Sequence, residues 1–188
     1  MALCDFLITA DIAGYDCENP PAKGMNRRGL LLNRADIETV TYTSPFMVQL
    51  SLKCGGKHAY KVVQSGKTPF NGTQQEMVEG VNQNTITNTV QIVVLKQDEN
   101  WAQQLFALMN GEFVALLIDK SNEVAQVYGI EAGLHCTGAV RELYNDDTLA
   151  GWQITFTEEG ASRGNIFMDK IKFHQLINYV SPDCPAEP

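Results

Sequence analysis

Residues 87–120 constrain this chain more than any other stretch. They read TNTVQIVVLKQ, then DENWAQQLFALMNG, then EFVALLIDKS. The first run alternates through Val90, Ile92 and Val94, and Val93 and Leu95 then make it apolar on both sides. The last run, Phe113 to Ile118, is apolar at every position. Such strands need cover on both faces. Between them the spacing predicts a helix. Asp98 is a good N-cap, and Glu99 complements the helix dipole. Trp101, Leu105 and Leu108 form a stripe that Ala102, Phe106 and Met109 widen, and Asn110-Gly111 supplies a left-handed stop. About 12 helical residues span roughly 18 Å. This helix can cover one sheet face; a second sheet or a neighbouring subunit must cover the other.

The flanking sequence is rich in strand signals. Residues 37–44, IETVTYTS, are β-branched and aromatic. After Pro45, residues 46–53 alternate Phe46, Val48, Leu50 and Leu52 against Met47, Gln49, Ser51 and Lys53, which predicts one buried face. Cys54-Gly55-Gly56-Lys57 reads as a tight turn into a returning strand at 58–64, forming a hairpin. Strands are also expected at 123–130, at 134–144 with a bulge near Gly138, and at 148–158, where Trp152, Ile154 and Phe156 point inward. Residues 1–12 read as a strand or short helix, and 13–36 as largely loop. The segment 161–188, closing with Pro182, Pro185 and Pro188, reads as an extended arm.

Residues 65–86 form a long polar connection, unusual inside a compact domain. It carries Phe70, Asn71, Gly72, Met77 and Val78, scattered anchors on a polar arm. It reads either as a strap that contacts a neighbouring subunit through these residues or as a plain surface loop.

The 188 residues suit one domain, with a core at about 37–160. The net charge of -8 disfavours wrapping nucleic acid, which needs clustered Lys and Arg. The same charge suits a surface past which nucleic acid must slide. The basic cluster Arg27-Arg28, with Arg34 nearby, reads as a solvated loop. The five cysteines are an odd number with no C-x-x-C spacing, so free thiols in a reducing cytosol are expected. No run approaches the roughly 20 apolar residues of a membrane span. The N-terminus carries Asp5 within its apolar patch and lacks a basic leader region, so no export signal is expected.

Signals for chemistry are sparse. His135 sits beside Cys136, but adjacent strand residues point to opposite faces, and no other histidine has metal-ligand spacing. Gly55-Gly56-Lys57 lacks the rest of a phosphate loop, and there is no G-x-S-x-G. Cys54 with His58 has no local signature of a nucleophile pair. The pairs Asp146-Asp147 and Glu158-Glu159 read as solvated turn residues. No catalytic residue, cofactor or metal is expected.

The order of elements, a hairpin, long loop, strand, helix and closing strands, resembles the tail-tube fold of tailed bacteriophages. Three phrases are similar to small tail and ring proteins of crAss-like and related phages: TPFNGTQQEMVEG, NTITNTVQIVVL and VYGIEAGLHCTGAVRELYNDDTLAGWQITFTEEG. Tyr128, Gly129, Gly133, Leu134, Thr155, Phe156, Thr157, Glu158 and Glu159 carry the likeness, which covers roughly 37–160. The terminal segments depart from the pattern. The resemblance implies a β-sandwich or barrel flanked by one helix, without catalytic residues. It implies a virion protein, made in the host cytoplasm, that closes with copies of itself into a hexameric or larger ring. Neighbouring tail or connector proteins would be its partners, and genomic DNA would pass its lumen without specific binding. The alternative from the residues alone is a soluble ligand- or carbohydrate-binding β-sandwich, and a cysteine-dependent enzyme using Cys54 or Cys136 is a third reading.

Overall fold

The computed structural model describes residues 25–64, 69–81, 83–94, 99–119, 124–141 and 151–184. Among the described residues the chain is mainly β, with a large mixed sheet and two α-helices. In order it forms β1 (Met25–Asn33), β2 (Ile37–Ser44), β3 (Met47–Leu52), β4 (Tyr60–Val63), β5 (Gln74–Val78) and β6 (Thr85–Val94). Helix α1 (Glu99–Asn110) follows, then β7 (Glu112–Asp119), β8 (Val124–Tyr128), β9 (Leu134–Arg141), β10 (Trp152–Ala161), β11 (Ile166–Asp169) and α2 (Lys170–Leu176).

Strand β7 is the shared wall of the molecule. Phe113 to Ile118 are each at most 5% exposed. Alternation sends Val114, Leu116 and Ile118 into one core, with Leu30, Leu32, Val127 and Met168 and with Phe173 and Leu176 of α2. Phe113, Ala115 and Leu117 enter a second core with Val90, Ile92, Ile154, Phe156 and Leu105 of α1. The two-sided cover that the apolar run demands is therefore supplied within one chain.

Pairing explains how the layers join. One edge of β7 holds β1, with Leu30 opposite Leu116. Its other edge holds β8 along Ala115–Ile118 and then β9 at Glu112 and Phe113. From β9 the sheet continues through β10 and β6 to β5. From β8 it continues through β11 and β3 to β2. Strand β4 lies beyond β1. The second core is closed by a side chain: Gln64, just after β4, accepts from Val93 N at 2.9 Å and donates to Val93 O at 3.1 Å. Its amide thus occupies the place of a backbone neighbour on β6, beyond the reach of β5.

Several expectations are corrected. Residues 25–33, read as loop, are a core strand: Leu30–Leu32 are buried, and a run apolar on both faces leaves no alternation to detect. The expected hairpin of β3 with β4 does not form. Strand β3 pairs along its length with β2 and at Met47 with β11, and β4 pairs with β1 instead. The C-terminal segment is not an extended arm. It forms β11 and α2, whose Phe173 and Leu176 are core, and Asp169 caps the helix by accepting from Ile171 N at 2.7 Å.

The end of this segment clasps the turn before β4. Val180 bridges His58, Ser181 N donates to Lys57 O at 2.8 Å, and Gly55 N donates to Pro182 O at 2.8 Å. Cys54 and Cys184 are disulfide-bonded across 130 residues of sequence, against the expectation of free thiols. Cys136 is free and half-buried, and Cys4 and Cys17 lie outside the described residues. Helix α1 keeps its stripe only in part. Leu105 is buried with Trp101 and Leu108 beside it, whereas Phe106 is 71% exposed and Met109 is also exposed. The expected cap Asp98 lies outside the described residues, as do residues 1–12 and Asp146-Asp147. The bulge expected near Gly138 is present: Thr155 pairs with Gly138 and Phe156 with Cys136, skipping Thr137.

Candidate assembly surface

A side chain that sequence reasoning assigned to solvent makes four hydrogen bonds among the described residues. Glu158 is 1% exposed and lies on the inward face of β10 with Ile154 and Phe156. Its Oε1 accepts from Glu131 N at 2.9 Å and Ala132 N at 2.8 Å. Its Oε2 accepts from Gly129 N at 2.9 Å and from Asn88 Nδ2 at 2.7 Å. A carboxylate has about four acceptor sites, and all are used here. The period-2 alternation of β10 continues to this position, and that was the available signal; the Glu-Glu-Gly ending masked it.

These bonds hold the bend at which β7 changes partner from β8 to β9. Gly129 has φ +83°, and a Cβ there would lie 2.6 Å from Phe113 O, so glycine is required. Tyr128 and Leu134, on either side of the bend, enter the same core as Phe156. Burial raises the Tyr128 hydroxyl to about 12, and that hydroxyl donates to Gln126 Oε1 at 2.5 Å. The YG…GL and TFTEE residues thus converge on one corner. Arg34 adds a brace, donating to Glu131 O at 2.5 Å and approaching Glu112 at 3.4 Å.

The network continues outward to the predicted strap. Asn88 Oδ1 accepts from Gln75 Nε2 at 2.8 Å, and Gln75 Oε1 accepts from Asn165 N at 3.2 Å. Residues 74–78 of the strap are therefore strand β5, paired to β6 from Gln74↔Thr89 to Val78↔Thr85. Phe70, expected on the surface, is 4% exposed and belongs to the second core. Asn71 and Gly72 are exposed in the turn before β5. Met77 and Val78 are exposed at 63% and 44%, and Val81 is wholly in solvent. The structure thus groups Met77, Val78 and Val81 at one hairpin tip and turns Phe70 inward.

Two strands end the sheet order, β2 and β5, and among the described strands each has one partner. Strand β2 is exposed along almost its whole length, with Val40, Tyr42 and the neighbouring Phe46 in solvent. The ring of Tyr42 lies under the Arg163 guanidinium at 4.9 Å. Free edges with apolar flanks are pairing templates. Strand β4 also has a single strand partner, β1.

A separate cavity of about 550 Å³ lies between β4, β6 and α1, with Leu31, Tyr60, Val62, Ile92, Trp101 and Leu108 in its wall. Little else assembles chemically. Cys54 is engaged in the disulfide, so it is not a thiolate beside His58. His135 is exposed, whereas its neighbour Cys136 packs against the second core. Among the described residues no group of three or more His, Cys, Asp or Glu is placed to hold a metal ion, and no helix is long and apolar enough to cross a membrane. Comparisons with protein-family models, curated proteins and solved structures return no match.

Proposed function

We propose that this chain is a structural subunit that closes with copies of itself into a ring, part of a bacteriophage tail or head-to-tail connector channel. The observation that carries the reading is the pair of strands at the two ends of the strand order, β2 and β5, each with one partner among the described strands and flanked by exposed apolar side chains. One end of a subunit can meet the other end of the next, a heterologous contact that closes a ring when the rotation fits. The phage setting is supported by the sequence likeness over 37–160. The net charge of -8 suits a channel wall that DNA passes without binding. Neighbouring rings would stack on the remaining surfaces.

Electron microscopy and mass measurement of the purified protein test this. Rings of uniform subunit number are expected. A particle that stays monomeric at millimolar concentration would overturn it.

The cavity under α1 favours a second reading, a module that binds a small apolar ligand. Trp101 lines it, so an aliphatic probe that shifts tryptophan emission with saturable affinity would support that function, and an unchanged spectrum would remove it.

A further inference from the structure

We propose that the β5–β6 hairpin tip of one copy docks in a basic groove of the next copy, formed by β1, the end of β4 and α2. The inference rests on the ring reading for its head-to-tail contact and for the β5 end, and it gives that end a receiving surface other than the β2 edge. The groove encloses about 700 Å³, with Arg27, Arg28 and Lys170 around Val63, Ile118 and Ile177. His174 also lines it, and no acidic side chain is among its described lining residues. Arg27, Arg28 and Lys170 are exposed, and Val63 is 67% exposed. In a chain of net charge -8 with 14 Lys and Arg, this is a local reversal of sign.

The opposite chemistry sits on the hairpin tip. Residues 76–79 read Glu-Met-Val-Glu and are all exposed, and Val81 follows in solvent. Alternation along β5 puts Glu76 and Val78 on one side and Met77 on the other, and Glu79 follows just past the end of the strand. The tip therefore offers carboxylates for the two arginines and apolar side chains for Val63 and Ile177, with the outer edge of β5 left for backbone pairing. β5 lies at the end of the strand order and none of its residues lines the groove of its own chain. The occupant is a second copy because both complementary halves belong to one sequence, and a head-to-tail contact uses one of each per subunit.

Charge reversal with cross-complementation tests this. The variants are Arg27→Glu with Arg28→Glu, and Glu76→Lys with Glu79→Lys, all at exposed positions. Light scattering after size exclusion reads the assembly, and circular dichroism confirms the fold. Each double variant alone is expected to lose association at least tenfold. An equimolar mixture is expected to recover it, because each reversed groove then meets a reversed tip in an alternating ring. If wild type forms rings and either variant assembles unchanged, or the mixture fails to recover, the docking is wrong and the ring reading stands. If wild type never associates, the ring reading falls and the docking with it. If the arginine variant assembles normally but loses binding to a labelled DNA duplex, the groove is a phosphate site and the docking is overturned.

Discussion

Replacing Glu158 by glutamine keeps the volume of the side chain and removes two acceptor sites. The new amide N–H₂ must face one of two donor pairs. Against Glu131 N and Ala132 N, it leaves both without an acceptor. Against Gly129 N and Asn88 Nδ2, it leaves Gly129 N unpaired. Asn88 can answer by flipping its amide, but Gln75 must then flip too, and its N–H₂ meets Asn165 N. Either orientation strands two backbone donors. A buried donor left unsatisfied costs about 1–3 kcal/mol; Asn165 N is exposed and can turn to water, so in the second orientation Gly129 N alone carries that cost and the substitution costs roughly 1–3 kcal/mol. That is a measurable part of the roughly 5–15 kcal/mol that stabilises a typical domain. Urea titration followed by tryptophan fluorescence measures it, with Trp152 on the same strand as reporter. Glu159→Gln, at an exposed neighbouring position, is the control and should stay within about 0.5 kcal/mol. A Glu158→Gln protein as stable as the Glu159→Gln control would refute the assignment of the corner to this carboxylate.

Leu116→Ala removes a fully buried side chain from the shared strand and should cost about 2–5 kcal/mol by denaturant titration, while Leu116→Asp or Phe113→Asp should leave no cooperative transition. Cys184→Ser opens a loop of 130 residues, for which chain entropy sets a loss of about 5 kcal/mol as an upper value. A thermal midpoint equal to that of wild type, with wild type itself insensitive to reductant, would remove the clasp from the stability of the fold. Tyr128 ionises at about 10 when unfolded and at about 12 when folded, so its neutral form is favoured in the native state. Its effect on stability is absent below pH 10; between pH 10 and 12 stability should fall by up to roughly 3 kcal/mol. Tyr128→Phe should flatten that part of the pH profile, and identical profiles would contradict it.

The strands and helix of the 87–120 block were legible because their signals are local: period 2 in β6, an unbroken apolar run in β7, and a stripe at Trp101, Leu105 and Leu108. Tyr128, Gly129, Leu134, Phe156 and Glu158 meet at one bend although they lie in two separate segments. What escaped depends on residues distant in sequence. Nothing near β4 shows that its partner is β1 rather than β3. Nothing near Cys54 points to Cys184. The burial of Glu158 requires the N–H groups of 129–132, which no pattern in residues 152–161 reveals. The strap was half legible. Its exposed Met77 and Val78 stand where expected, but Phe70 turns inward onto the second core, where its ring lies over Gly29 of β1 on the face that carries Leu117.

Because β7 completes both cores, the order of synthesis matters. Leu30 pairs with Leu116, 86 residues later by subtraction of the two numbers. At about 5–20 residues per second on a ribosome, Leu30–Leu32 wait roughly 4–17 seconds for a partner. During that interval β1 to β6 emerge one after another without their wall, and β2 offers an edge soon after it is made. The nascent chain is then most exposed to pairing with another nascent chain. Anything that slows translation between β6 and β7 should lower the yield of folded protein without changing the stability of the molecules that do fold.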